Sequence, residues 1–221
     1  MENNDNNTTQ ETKEQDVNMQ TKPDETGPFH IEGHIKIFDP ETGDVYINKR
    51  NAIHYENMSV AMAESLANLG QGSIYEIVFG NGGTNVDTTG IITYLTPNTV
   101  GTNSTLYNET YSKVVDGQSV SNVDRSRNKL ETRHLTGTTY TDIVVSCLLD
   151  YGEPANQDAF DNASGISSTY TFDELGLRSY NPSATGRLLT HVIFHPVQKS
   201  LNRLIQIDYT IRIQSLSGFN G

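Results

Sequence analysis

The chain has no tryptophan, a single cysteine and no long apolar run. Each shortage closes a class of explanation. One thiol, Cys147, excludes an intramolecular disulfide and a cysteine-built metal cluster. It sits in the apolar run IVVSCLL, where a buried, inert thiol is expected, because a reactive thiolate needs polar, electropositive neighbours. No stretch approaches the roughly 20 consecutive apolar residues of a membrane-spanning helix. The segment MENNDNNTTQ is polar and acidic, the opposite of a secretory signal, so synthesis in the cytoplasm and no membrane partner are expected. Basic residues are also short: 15 Lys and Arg stand against 27 Asp and Glu, for a net charge of -12. They are scattered, and phosphate-backbone binding needs a concentrated basic patch, so no nucleic-acid partner is expected.

What the chain does have is β-forming and turn-forming material. Eleven Tyr and 18 Gly accompany a modest hydrophobic content of 34%. That mixture suits short strands joined by many turns. The best-patterned segment is LIQIDYTIRI. There Ile205, Ile207, Tyr209, Ile211 and Ile213 alternate with Gln206, Asp208, Thr210 and Arg212. Period two is the mark of a strand with one buried face. FHIEGHIKIF alternates too, and is followed by the turn DPETGD and a returning VYINKR, which together predict a β-hairpin. A second hairpin is expected from Lys129 to Leu149, turning at Thr136-Gly137.

One helix is expected, over about residues 55–69. Met58, Ala61, Met62, Leu66 and Leu69 form a stripe there, and Gly70 supplies a stop. Residues 1–28 carry seven acids, two lysines and almost nothing apolar, so they are expected to form a disordered acidic arm. Residues 29–221 are expected to form one β-rich domain of eight or nine strands. The expected fold is mainly β: an antiparallel β-sandwich with one packed α-helix.

Candidate chemistry is thin. The loop Gly80-Asn81-Gly82-Gly83 follows a strand, but neither a lysine nor a helical pattern comes after it. A tight structural turn is therefore preferred to a phosphate cradle. His30 and His34 are four apart, as are His191 and His195; strand rise sets each pair some 13 Å apart, too far to share a metal. Exposed strand faces are expected for them. Asp150, Glu153, Asp158 and Asp161 do not have the spacing of a calcium loop, and a solvated loop is expected. No GxSxG elbow is present. The expectation is a chain that is not an enzyme, with no catalytic residues, no metal and no cofactor. Its candidate assembly contacts are Gly80, Asn81, Gly82 and Gly83 in one loop, and Asn156, Asp158 and Asp161 in the other. Polar loops on a rigid sheet commonly carry recognition.

The order of the blocks is informative beyond their periods. GHIKIFDPETGDVYINKRNAIHYENMSVAMAESLAN precedes IYEIVFGNGGT, GIITYLTPN and LYNETY; FDELGL and LLTHVIFHPVQKSLNRLIQIDYTIRI follow. This order resembles virion structural proteins of contractile-tailed bacteriophages, of the marine and cyanobacterial type. The resemblance covers about residues 33–216. It implies a non-enzymatic tail, baseplate or neck component located in the virion. It also implies other virion proteins as partners and homo-oligomeric assembly. The alternatives are a capsid decoration protein and a receptor- or glycan-binding module of a phage appendage. The lack of Trp counts against the glycan platform, while the 11 Tyr leave it open.

Overall fold

The computed structural model describes residues 29–154 and 169–215; the expected arm, Asn156, Asp158 and Asp161 lie outside them. Alternation and turn chemistry produce the elements largely where the pattern puts them. Strand β1 (Phe29–Phe38) turns through Gly43, at φ +82°, into β2 (Val45–Ile53). Helix α1 follows (Tyr55–Leu66), shorter than expected. Its first turn is capped by His54, whose side chain accepts from the Asn57 N–H at 3.2 Å. Met58 and Ala61 are buried, but Leu66 and Leu69 are 85% and 62% exposed, so the expected stripe is buried at one end only.

The remaining elements are strands: β3 (Ile74–Gly80), β4 (Thr84–Val86), β5 (Ile92–Tyr94) and β6 (Glu109–Val114), then β7 (Lys129–His134), β8 (Tyr140–Leu149), β9 (Thr169–Ser179), β10 (Thr190–Ser200) and β11 (Ile205–Ser215). The described residues hold eleven strands against the expected eight or nine. Two of them, β4 and β5, are three-residue strands that form a small separate ribbon.

Nine strands make one antiparallel sheet in the order β6-β3-β9-β10-β2-β1-β11-β8-β7. The sheet curls on itself. Lys113 on edge strand β6 donates to the Leu148 carbonyl of β8 at 2.6 Å, across what a flat sheet would make its full width. The curl sets a four-stranded half (β6-β3-β9-β10) against a five-stranded half (β2-β1-β11-β8-β7). The mainly β, sandwich-like fold expected from the sequence is therefore present, built from one folded sheet. A single apolar cluster fills it. Phe79, Phe172 and Phe194 come from the first half; Ile35, Ile37, Val145, Ile207 and Tyr209 come from the second. Phe172 stands edge-on to both Phe79 and Phe194, at 5.5 and 5.8 Å between ring centres.

Among the described residues, strand pairing joins the two halves at one place, the β2–β10 pair. It is two residues long, Ile53 opposite Thr190 and Ala52 opposite His191. Beyond it the strands part. β2 continues with β1, β10 continues with β9, and a wedge opens between them.

Candidate functional site

Three places in the described residues collect groups capable of chemistry or contact. The first is built on β9. In its FDELGL block every residue from Phe172 to Leu177 is buried. The apolar phase slips by one residue here: Tyr170 and Phe172 face the core, then Leu175 and Leu177 do. Asp173 and Glu174 occupy the slip. Neither is exposed, because both are saturated with hydrogen bonds. Asp173 accepts from the Gly83 and Thr84 N–H groups at 2.9 Å each, and from the Thr84 hydroxyl. Glu174 accepts from the N–H groups of Gly82 (3.1 Å), Asn108 (2.8 Å) and Tyr107 (3.0 Å), and from His191 Nε2 (2.9 Å).

The charge states follow from these bonds. His191 Nδ1 accepts from the Asn98 N–H at 2.7 Å, so the ring proton sits on Nε2 and is donated to Glu174. The pair is a neutral imidazole bonded to a carboxylate. Burial pushes the Glu174 carboxyl up, but the bonds from His191, Asn108, Tyr107 and Gly82 outweigh it and hold the group below its ordinary value. Asp173 goes the other way. Burial raises it, and the Thr84 and Gly83 bonds do not fully compensate.

This arrangement accounts for the glycine loop. A Cβ on Gly80 would lie 2.4 Å from the Asn108 carbonyl oxygen, and one on Gly82 would lie 2.8 Å from the Asn108 nitrogen. The glycines allow two backbones to close around Glu174. Gly80 and Gly83 are buried, and Asn81 and Gly82 are half-buried, so the loop turns mostly inward. Asn81 Oδ1 accepts from Asn108 Nδ2 at 2.6 Å. Of the other candidate contacts, Asn156, Asp158 and Asp161 lie outside the described residues. Sequence reasoning missed Asp173, Glu174 and His191. The one visible signal was two adjacent acids interrupting a strand. His191 was expected on an exposed face and is buried, because the segment from Tyr94 to Asn108 covers it; His30, His34 and His195 are exposed as expected.

The second place is the opposite end of the sandwich. Asp150 and Glu153 were expected in a solvated loop. Instead, Glu153 pairs with Lys113, and Asp150 pairs with Arg127 at 2.5 Å. Lys199 is fully buried beside them and donates to the carbonyls of Asp150 (3.0 Å) and Ser200 (2.8 Å). Burial pulls its ammonium down to about 8, against the opposing pull of Glu153 and Asp150. Cys147 lies under this network. It is buried as expected, and burial pushes its thiol up to about 12, which leaves it unreactive.

The third place is the wedge between β2 and β10, a cleft of about 430 Å³. Tyr46, Lys49 and Asn51 stand on one wall, Ile193 and His195 on the other, and Tyr94 overhangs it. Separately, an apolar groove of about 360 Å³ lies between α1 and the strands β7, β8 and β11, lined by Met62, Leu66, Leu130, Ile143 and Ile213. Among the described residues, no group of three or more His, Cys, Asp or Glu side chains is placed to hold a metal ion. Nor is any helix among the described residues long and apolar enough to cross a membrane. No protein-family model, curated protein or solved structure matches this chain.

Proposed function

We propose that this chain is a non-enzymatic structural subunit of a tailed-phage virion, a tail, baseplate or neck component that acts by protein–protein assembly. It would sit in the virion among other virion proteins and copies of itself. The observation that supports this most is the use made of Glu174 and His191. A buried carboxylate touching a neutral imidazole is the pair best suited to general acid–base work in the molecule. Here both nitrogens of the ring and both oxygens of the carboxylate are occupied by partners within the chain, three of them backbone N–H groups bound to Glu174. The pair fixes loops on a sheet and leaves no lone pair for a substrate. The block order of the sequence supports the same reading.

Mass spectrometry of purified particles tests it. The chain should be present at a fixed copy number, with tens of copies favouring a tail or neck position and hundreds favouring capsid decoration. Its absence from particles, or a metal-dependent hydrolytic activity in the purified protein, would remove the reading.

A further inference from the structure

We infer that the wedge between β2 and β10 is an acceptor cleft for an extended strand, and that its occupant is the acidic segment 1–28 of a second copy of this chain. The inference rests on the assembly reading above and specifies its contact.

Two observations define the cleft as an acceptor. First, β2 and β10 share only two residue pairs and then diverge, so from Asn51 back to Tyr46, and from Val192 to His195, their facing edges have no strand partner among the described residues. Second, a side chain stands in for a missing strand. Lys49 Nζ reaches across and donates to the Ile193 carbonyl at 2.8 Å, a role that a neighbouring backbone N–H would fill in a continued ladder. Open strand edges are the substrate of β-augmentation, in which main-chain bonds supply affinity. Since β2 and β10 run antiparallel, an entering strand lies antiparallel to one wall and parallel to the other.

Charge and direction select the occupant. Among the described residues no carboxylate lines the cleft, whereas Lys49, Arg50 and His195 do. Residues 1–28 carry seven acids against two lysines. Register sets a copy's own segment at the far end of the wedge, from which it must double back to reach the mouth. Gly33 pairs with Asn51, so Phe29 lies past the closed apex of the wedge at Ile53 and Thr190. A segment leaving at Phe29 departs from the apex, while the wedge opens at the other end, beside Tyr46 and His195. A strand from another copy enters there directly. Twenty-eight extended residues span roughly 90 Å, enough to reach across a neighbour.

Cross-linking of the full chain tests the inference. One chain carries Asn48→Cys at the mouth; a second carries Asp5→Cys, Asp16→Cys or Asp24→Cys. The native Cys147 is buried and does not compete. Mild oxidation of the mixture should give a disulfide-linked heterodimer at one or more of the three positions. Adding Lys49→Glu and Arg50→Glu, both at exposed sites, should lower the yield roughly tenfold, with the far-UV circular dichroism unchanged. An excess of free peptide of sequence 1–28 should lower it too. Three outcomes overturn the inference: no cross-link at any position in folded protein, equal cross-linking to Asn202→Cys on a distant exposed turn, or faster intramolecular closure in an Asn48→Cys, Asp16→Cys double variant. The readout is made on purified protein in solution, so it stands or falls separately from the chain's presence in particles.

Discussion

The two halves of the curled sheet solve the problem of an outer face differently. In the five-stranded half, β11 is buried at Ile205, Ile207, Tyr209 and Ile211 and half-buried at the residues between, so its outer face meets solvent. In the four-stranded half, β9 and the first half of β10 are buried on both faces, because the segment from Gly80 to Asn108 is laid over them. The first half is held by apolar contact on one side. The second adds a layer held by charge-assisted hydrogen bonds, which run about twice the strength of neutral ones and leave costly orphans when broken. A fault in the first half should therefore be global, and a fault in the second should begin as a local lifting of the cover.

The largest expected effect tests the first half of that comparison. Ile207→Glu places a carboxylate at a fully buried position with no partner, at several kcal/mol, comparable to the whole stability of a domain. Insoluble expression or loss of the cooperative urea transition is expected. Arg203→Ala, which removes a guanidinium 4.9 Å from the Tyr46 ring and 3.6 Å from Asp39, should cost about 1 kcal/mol and leave the protein soluble. If Arg203→Ala were the insoluble one, the assignment of faces on β11 and its neighbours would be reversed.

Glu174→Gln tests the second half. The amide has one acceptor oxygen and two donors where four donors now converge, so backbone N–H groups are left unpaired, at about 2–4 kcal/mol. Hydrogen exchange should rise first in 80–84 and 94–108 while β1, β8 and β11 stay protected. Uniform exchange across both halves would show that the cover and the core are one unit. Acid should act alike. The folded Glu174 carboxyl lies below its ordinary value, so its contribution is present above that value and is lost as pH falls through the folded one. Opening of the cover, as pH falls below the ordinary carboxylate range, should precede loss of the core.

A smaller effect distinguishes the polar end. The Lys199 ammonium is depressed from 10.5 to about 8, so the unfolded chain binds more protons between those values, and this residue makes stability rise with pH across that window. The contribution is on the order of 2 kcal/mol. Urea midpoints measured from pH 8 to 10.5 should rise more steeply for the native chain than for Lys199→Met. Smallest is Asp142→Asn. It weakens the two-pronged pair with Arg212 (2.8 and 2.9 Å) on the outer face of the five-stranded half, and should shift stability by about 0.5 kcal/mol, less at high salt.

The same contrast decides what could be read from residues alone. Wherever a strand has one wet face, period two is written into it. β11, the first hairpin and the second hairpin were legible for that reason, with Gly43 and Gly137 at positive φ where turns were expected. β9 was not legible in the same way. Its acids are inside because their partners arrive from Gly82, Gly83, Tyr107 and Asn108, far along the chain, and no local period records that. The helix ran short because the chain turns out of it at Asn68, which takes φ +53°, two residues before the expected stop at Gly70. The glycine loop was recognisable as a turn, but the reason for its glycines, closeness to the Asn108 backbone, exists only in three dimensions.

The pairing of β1 with β11 has a consequence for how the molecule comes to be folded. These strands match over their full lengths, Phe29 opposite Ser215 through Phe38 opposite Gln206, so nearly the whole described chain separates the partners. β11 also separates β1 from β8. During synthesis the first hairpin must wait, the edge of β1 unpaired, until residues 205–215 have left the ribosome. Contacts so distant in sequence place the barrier late, and folding belongs with the slow β topologies, on the order of milliseconds to seconds. Until that last strand slots in, the nascent chain is the state most exposed to aggregation, and a chaperone would find it there.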